Sequence, residues 1–214
     1  MMEGRRDNRH IGSEHFGSVG YCVEGTAEQT LVLLHGLNGH SGTWTRTIDA
    51  LKNEWTVIAP SLPPFFGDFA GIPLAGYTAT VEHILQQEHV SNAVLVGNSM
   101  GGWISMNCAL RNPTLPRAIV LEDTAGAGYG NRFEDASPYA DAIRRLGIPV
   151  LIVWGEHDDV IPLSYGQRLN IELPRSILHV IAGAGHVPHR DAPEEFNALV
   201  LQFLAKLRSS AGRD

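Results

Sequence analysis

The stretch AVLVGNSMGG, residues 93–102, decides the fold. It opens with a short continuous apolar run, which is typical of a strand that is buried on both faces. Gly97, Ser99 and Gly101 then form a G-x-S-x-G pattern, and a helix-compatible run follows at residues 103–110. A serine on a tight strand-to-helix turn takes strained backbone angles, and small residues on either side let the turn close. The pattern therefore predicts a nucleophilic serine at the end of a buried strand.

Five further apolar runs recur along the chain, at residues 31–34, 56–59, 118–121, 150–154 and 177–181. Most of them are continuous rather than alternating, as expected of parallel strands that are covered on both faces. Apolar residues at steps of three and four occur between the runs, for example in residues 77–85, and after the last run, in residues 196–207; they predict helices that pack on a sheet. This alternation predicts an open, mostly parallel α/β sheet with helices on both faces and right-handed crossovers. Residues 15–23 form a weaker strand or hairpin candidate, which we expect at an antiparallel edge.

The composition predicts one globular domain that spans residues 1–214, with 43% hydrophobic and 18% charged residues. The formal net charge of −7 opposes contact with nucleic acid and with anionic membranes, so neither is expected as a partner. Cys22 and Cys108 match no metal or redox spacing and are interpreted as free thiols in a reducing compartment, with a single bridge between them as the alternative. The polar N-terminus and the lack of a long apolar run predict a cytoplasmic protein. The composition fixes no oligomeric state.

A helix that begins directly after Ser99 directs free backbone N–H groups and the positive end of its dipole toward developing negative charge. The N–H of Met100 is therefore one candidate donor to an oxyanion. A serine hydroxyl is a weak nucleophile near neutral pH, so a base must accept its proton and a carboxylate should orient that base.

These features resemble the α/β-hydrolase fold family, and the resemblance extends from about residue 31 to residue 207. It includes LLHGLNG at residues 33–39, where a strand ends in His-Gly followed by a hydrophobic residue. In that family the amide after His-Gly supplies the other half of the oxyanion hole. The resemblance implies that Leu37 donates this N–H and that His35 shapes the loop through hydrogen bonds.

The segment IAGAGHVPHRDAPEEF, residues 181–196, resembles the G-H-x-P loop of the family and implies that His186 is the catalytic base. His189 is a nearby competitor, which we interpret as a solvated loop residue. Other histidines form no pair with zinc spacing, so no metal and no cofactor are expected.

The segment VWGEHDDVIP, residues 153–162, resembles the G-x-x-D-x-x-x-P loop of the family and implies that Asp158 is the catalytic acid. Asp159 is expected to be a surface or loop-capping carboxylate. A less common arrangement in the family places the acid after the preceding strand, which would select Asp123. With Asp158, the chain order is Ser99, Asp158, His186, as expected for this fold.

Many relatives insert a helical cap between the sixth and seventh strands of their sheet. Here residues 124–148 leave little room for one, and the part from Pro138 is interpreted as an ordinary crossover helix, so the cap is expected to be reduced or absent. The resemblance implies that Asn38, Val160 and Val187 lie near the acyl or alcohol pocket. We expect an apolar rim formed by Phe65, Phe66, Phe69 and Tyr129.

An open site favours a serine hydrolase that cleaves a carboxylic ester or thioester of a small-molecule acyl substrate through an acyl-enzyme. The motifs GNSMGG and HGLNG also resemble those of relatives that hydrolyse carbon-carbon bonds in ring-fission products, but these relatives use a substantial cap. A carbon-carbon hydrolase or lyase on the same triad is therefore the alternative. A ligand-binding protein that keeps the fold without catalysis is the hypothesis from another functional class.

Overall fold

An eight-stranded sheet runs through the described part of the computed structural model, which comprises residues 7–67, 71–125 and 137–211. The strand order is β1-β2-β4-β3-β5-β6-β7-β8. The strands are β1 (Asp7–Ser13), β2 (Gly17–Glu24), β3 (Thr30–Leu34), β4 (Thr56–Pro60), β5 (Ala93–Asn98), β6 (Pro116–Glu122), β7 (Val150–Gly155) and β8 (Ser176–Ile181).

Strands β3 to β8 are parallel, whereas β1 and β2 form an antiparallel hairpin that joins the sheet through β2 and β4. The six apolar runs of the sequence correspond to these six parallel strands. The edge hairpin was expected over residues 15–23, but its outer strand begins at Asp7. That strand is short of apolar residues because most of it is exposed at the edge, and only Ile11 is buried. The mostly parallel α/β fold predicted from the sequence is confirmed.

Helices cover both faces of the sheet. They are α1 (Thr45–Leu51), α2 (Leu74–Gln87), α3 (Met100–Arg111), α4 (Ser137–Leu146), α5 (Leu163–Glu172), α6 (Pro188–Asp191) and α7 (Pro193–Ala211), with a 3-10 turn (Ser41–Trp44) before α1.

Alternate residues of one strand pack into different clusters, which explains why the strands are apolar throughout. Val94 and Val96 of β5 contact the cluster that includes Phe196 of α7. Leu95 contacts the cluster on the other face, which includes Ile84 of α2. Burial on both faces therefore requires a continuous apolar run.

Two predictions, the reduced cap and the aromatic rim, fall partly on residues 68–70 and 126–136, which lie outside the described residues. Helix α4 begins at Ser137, close to the expected start at Pro138. Phe69 and Tyr129 belong to the segments that are not described. No helix of the described chain combines the length and the apolar character needed to cross a membrane. Cys22 and Cys108 are both buried, and no disulfide joins them, so the alternative of a single bridge is not observed.

Candidate active site

Ser99 lies at the turn between β5 and α3, with a φ of 52° and a ψ of −115°. Its amide donates to the carbonyl of Glu122 at 2.9 Å, and its carbonyl accepts from the amide of Ala125 at 3.0 Å. These hydrogen bonds hold both sides of the residue against the end of β6. The strained backbone is thus fixed by its surroundings, as is typical of functional turns.

The glycines of the turn are needed because the backbone segments approach one another closely. A Cβ atom on Gly101 would lie 2.0 Å from the carbonyl oxygen of Leu34. One on Gly97 would lie 2.3 Å from the carbonyl carbon of Gly101. Any side chain at these positions would force the strand and helix apart and move Ser99.

His186 and Asp158 form a hydrogen-bonded pair between the loops that follow β8 and β7. The Nδ1 atom of His186 lies 2.8 Å from Oδ2 of Asp158. The other oxygen of Asp158 accepts hydrogen bonds from the amides of Val160 and Ile161, at 2.8 and 2.9 Å. The carboxylate is therefore held in a fixed orientation toward the imidazole.

The pKa of Asp158 is lower than the ordinary value of an aspartate. Burial opposes its ionisation, but hydrogen bonds from His186, from Asp123 and from the Ile161 and Val160 amides more than offset that effect. Asp158 is therefore an anion at neutral pH, which is the state that can orient a histidine and stabilise its protonated form.

Asn98 connects the serine turn to the histidine loop. Its Nδ2 atom donates to the backbone carbonyl of His186 at 3.0 Å, and the side chain is almost entirely buried. The sequence motifs did not single out Asn98. The available signal was a polar residue at the end of an otherwise apolar strand, immediately before Ser99.

Ser99 and His186 both line a cavity of about 510 Å³ at the carboxyl ends of the strands. Four other residues expected near the site lie in the same wall: Leu37, Asn38, Val160 and Val187. Of the expected apolar rim, Phe65 packs against the core and Phe66 is 87% exposed, and neither lines this cavity. The structure thus places four of the expected pocket residues at this cavity, but neither of the two described residues of the expected aromatic rim.

Asn38 has a second contact that the sequence did not predict. Its Oδ1 atom accepts a hydrogen bond from the amide of Phe65 at 3.0 Å. Asn38 adopts a φ of 58°, in the left-handed region that asparagine tolerates better than most residues. The side chain therefore joins the loop after β3 to the loop after β4.

The amides of Leu37 and Met100 both border the serine turn. Met100 is the first residue of α3, where the N–H groups have no acceptor within the helix. No hydrogen bond from either amide is found within the described chain. That both N–H groups donate to an oxyanion stays a prediction.

His35 holds the loop that carries Leu37. Its Nε2 atom accepts from the amide of Leu62 at 2.8 Å, and Nδ1 lies 2.7 Å from the carbonyl of Gly36. Burial lowers the pKa of His35 to about 4, so the ring is neutral at neutral pH. A neutral ring fits these contacts, since one nitrogen must accept while the other donates.

The competing residues occupy three different environments. Asp159 is exposed, in agreement with a surface carboxylate. Asp123 is fully buried beside the His186 and Asp158 pair. The prediction that His189 is solvated is wrong: it is 2% exposed, and its Nδ1 atom lies 2.7 Å from Oε2 of Glu122. Its sequence neighbours are polar, but its partner comes from β6, which sequence spacing does not reveal.

One set of three residues in the described chain could offer ligand atoms to a metal ion. The atoms belong to Asp123, Asp158 and His186 and lie within 4.8 Å of one another. Two of them already make the short contact between imidazole and carboxylate described above. The same atoms thus fit the acid and base of a hydrolytic triad, and no cofactor has to be invoked for that chemistry.

The family model described as "Alpha/beta hydrolase family" matches this chain over residues 31–138 and 129–199. The chain belongs to the α/β-hydrolase family. It is a hydrolase of the α/β-hydrolase superfamily.

Proteins similar to this α/β-hydrolase include an uncharacterised hydrolase of Bacillus subtilis (strain 168), 25% identical over 92% of this chain and 95% of that protein. A thermophilic esterase from Thermogutta terrifontis has a TM-score of 0.78, with 18% identity over 94% of this chain and 98% of the other. A meta-cleavage product hydrolase from Pseudomonas fluorescens IP01 has a TM-score of 0.77, with 22% identity over 92% and 97% of the two chains. Both structural similarities concern the fold, and they include esterase and carbon-carbon hydrolase structures.

Proposed function

We propose that this hydrolase cleaves a carboxylic ester or thioester through an acyl-enzyme formed on Ser99. The observation that carries the proposal is the cavity shared by Ser99, on its strained turn, and by His186, which is hydrogen-bonded to Asp158. A nucleophile, a base and an oriented carboxylate are the three groups that acyl transfer requires.

In the first step, Oγ of Ser99 attacks the carbonyl carbon of the substrate while Nε2 of His186 accepts the hydroxyl proton. The carbonyl oxygen becomes negatively charged, and the amides of Leu37 and Met100 donate hydrogen bonds to it. Collapse of this intermediate breaks the bond to the alcohol or thiol, which receives the proton from His186. His186 then deprotonates a water molecule, which attacks the acyl carbon; the bond from this carbon to Oγ of Ser99 breaks, His186 returns the proton to Oγ, and the acid is released.

The cavity of about 510 Å³ has room for an acyl chain of moderate size. Leu37, Val160 and Val187 supply apolar surface beside Ser99. Val160 is 48% exposed, so the cavity is open toward solvent on that side. An open site accommodates esters whose remaining part stays in solvent, which favours ester or thioester hydrolysis.

The test is a fluorophosphonate probe followed by a panel of acyl esters and acyl thioesters of increasing chain length. The wild-type protein is expected to be labelled at Ser99 and to hydrolyse members of the panel. Ser99→Ala should abolish labelling and lower kcat about a million-fold, since it removes the nucleophile. Labelling that persists in this variant would show that another residue reacts.

Carbon-carbon hydrolysis is the second candidate, favoured by the similarity to the meta-cleavage product hydrolase. Both reactions would depend on Ser99, so the Ser99→Ala variant cannot distinguish them. Turnover of p-nitrophenyl esters compared with turnover of a vinylogous diketone separates the two. The third hypothesis, a ligand-binding protein without catalysis, predicts neither labelling nor turnover.

A further inference from the structure

Asp123 is a buried carboxyl group that the proposed mechanism does not use. It follows β6 directly, is fully buried and has a φ of 42°. Its Oδ1 atom accepts a hydrogen bond from the amide of Gly155 at 3.0 Å. Its backbone amide donates to the carbonyl of Val153 at 3.1 Å. A strained aspartate that is this well fixed requires an explanation.

The second oxygen of Asp123 has no donor to accept from. Oδ2 is buried and finds no such partner in the described chain. The polar group beside it is the carboxylate of Asp158, which can only accept, and the carboxyl and imidazole atoms of Asp123, Asp158 and His186 lie within 4.8 Å of one another. Two carboxyl groups in such a position form a favourable contact only if one of them carries a proton.

Asp158 cannot be the group that holds this proton. Its two oxygens already accept from His186 Nδ1 and from the amides of Val160 and Ile161. Asp123 accepts only from Gly155, and therefore has one oxygen left to carry a hydrogen atom. The hydrogen-bond pattern thus assigns the proton to Asp123.

The charges around Asp123 favour the same assignment. Negative groups face it from Glu122, its neighbour on β6, and from Asp158 on the loop after β7. His186 approaches from the loop after β8, but its Nδ1 atom already binds Asp158, and His189 of α6 pairs with Glu122. Burial, the charge of Glu122 and the hydrogen bond with Asp158 raise the pKa of Asp123 to about 10.

From this arrangement we infer that Asp123 is a positioning residue, which donates its carboxyl proton to Asp158 and thereby fixes the carboxylate that orients His186. This inference rests on the proposed function, because the effect of Asp123 on turnover passes through Asp158 and His186. Asp123 does not line the cavity, so it acts on the acid and not on the substrate.

Two substitutions separate this role from others. Asp123→Asn keeps an acceptor for Gly155 and replaces the carboxyl O–H by an amide N–H donor. Asp123→Gly removes both contacts, and glycine adopts the positive φ without strain. We expect Asp123→Asn to retain kcat within about three-fold and Asp123→Gly to lose about 10- to 100-fold in kcat with KM nearly unchanged, as for other residues that orient a catalytic group.

The readouts are the rate of fluorophosphonate labelling, kcat and KM on the same ester, and the thermal unfolding midpoint of each variant. Rescue by asparagine distinguishes positioning from general destabilisation. It requires that Asp123→Asn is labelled much faster than Asp123→Gly although the two variants have similar thermal unfolding midpoints. An Asp123→Asn variant as inactive as Asp123→Gly would overturn the inference, because the site would then need the ionised carboxylate. Full activity of Asp123→Gly would overturn it as well.

Infrared difference spectra test the proton itself, whatever reaction the protein catalyses. At neutral pH the wild-type protein should show the carbonyl stretch of a protonated carboxyl group, and Asp123→Asn should lack it. If the wild-type protein is not labelled by the probe, the proposed function fails, while this spectrum still decides the protonation of Asp123. If no such band is lost in Asp123→Asn, the proton is not on Asp123.

Discussion

Glu122 accepts two hydrogen bonds from His189, one from its backbone amide at 2.5 Å and one at Oε2, which lies 2.7 Å from Nδ1. Both side chains are at most 1% exposed. The His189 ring also stacks on Trp44, with ring centroids 3.7 Å apart. This contact joins the end of β6 to α6, three residues after the proposed base, and so fixes the far side of the histidine loop.

Replacing Glu122 by leucine is expected to destabilise the protein by about 3–5 kcal/mol, because two buried donors of His189 lose their acceptor. Glutamine keeps an acceptor for the amide of His189, and its N–H can donate to Nδ1 if the ring proton moves to Nε2, so this substitution should cost less, about 1–2 kcal/mol. Urea unfolding measures both. Glu194→Leu is the control, since this side chain is 86% exposed and its ion pair with Arg46 should contribute less than about 1 kcal/mol. Equal losses for leucine and glutamine would contradict the role of the hydrogen bonds.

The contact of Glu122 with His189 also illustrates what could be predicted from the sequence. The parallel strands were identified because burial on both faces leaves a direct trace, a continuous apolar run such as residues 93–96. The candidate site residues Ser99, Asp158 and His186 could be predicted because each occupies a loop with a recognisable local pattern. They follow the carboxyl ends of β5, β7 and β8, three strands of one parallel sheet, and the loops at these ends lie on the same edge of the sheet.

Residues whose role depends on a distant partner were missed or misinterpreted. His189 lies in a polar stretch, and its burial arises from Glu122 and Trp44, which are far away in the chain. Asp123 was considered only as a rival acid, since its contact with Asp158 depends on the pairing of β6 with β7. Local sequence carries periodicity and turn signals, but it does not record which buried polar groups pair across strands.

Gly101→Ala tests the close packing that forms the serine turn. The added methyl would lie 2.0 Å from the carbonyl oxygen of Leu34, so the helix and strand must separate. We expect a loss of about 3 kcal/mol or more in stability and of about 100-fold in the labelling rate of Ser99. Gly12→Ala is the matched control, because a methyl there meets no atom within 4 Å. A Gly101→Ala variant with wild-type labelling would show that the turn tolerates this displacement.

His35 should make stability depend on pH in the acidic range. Burial lowers its pKa from 6.5 to about 4 in the folded protein. Below about pH 6.5, His35 therefore binds a proton in the unfolded chain but not in the folded protein. The contribution of His35 to the free energy of unfolding is lost as the pH falls toward 4, with about 2 kcal/mol lost at pH 5.

Urea unfolding of wild-type protein and of His35→Asn at about pH 7.5 and about pH 5 measures this contribution. Asparagine does not titrate in this range, so the variant should lose less stability than the wild type between the two conditions. Other groups titrate equally in both proteins, and the difference isolates His35. The same loss in both proteins would mean that His35 remains accessible to protons in the folded state.

The last prediction concerns the two adjacent aspartates, Asp158 and Asp159, which have the same chemistry but different positions. Asp158 lies 2.8 Å from Nδ1 of His186, whereas Asp159 is exposed. Asp158→Asn should lower kcat about 10⁴-fold, because the amide no longer fixes the tautomer of His186 or stabilises its protonated form. Asp159→Asn should leave kcat unchanged, and both variants should retain the fold by circular dichroism. If Asp158→Asn stays active while Asp123→Asn does not, the acid of the triad is Asp123, and the carboxylate that follows β6 takes the role assigned here to the loop after β7.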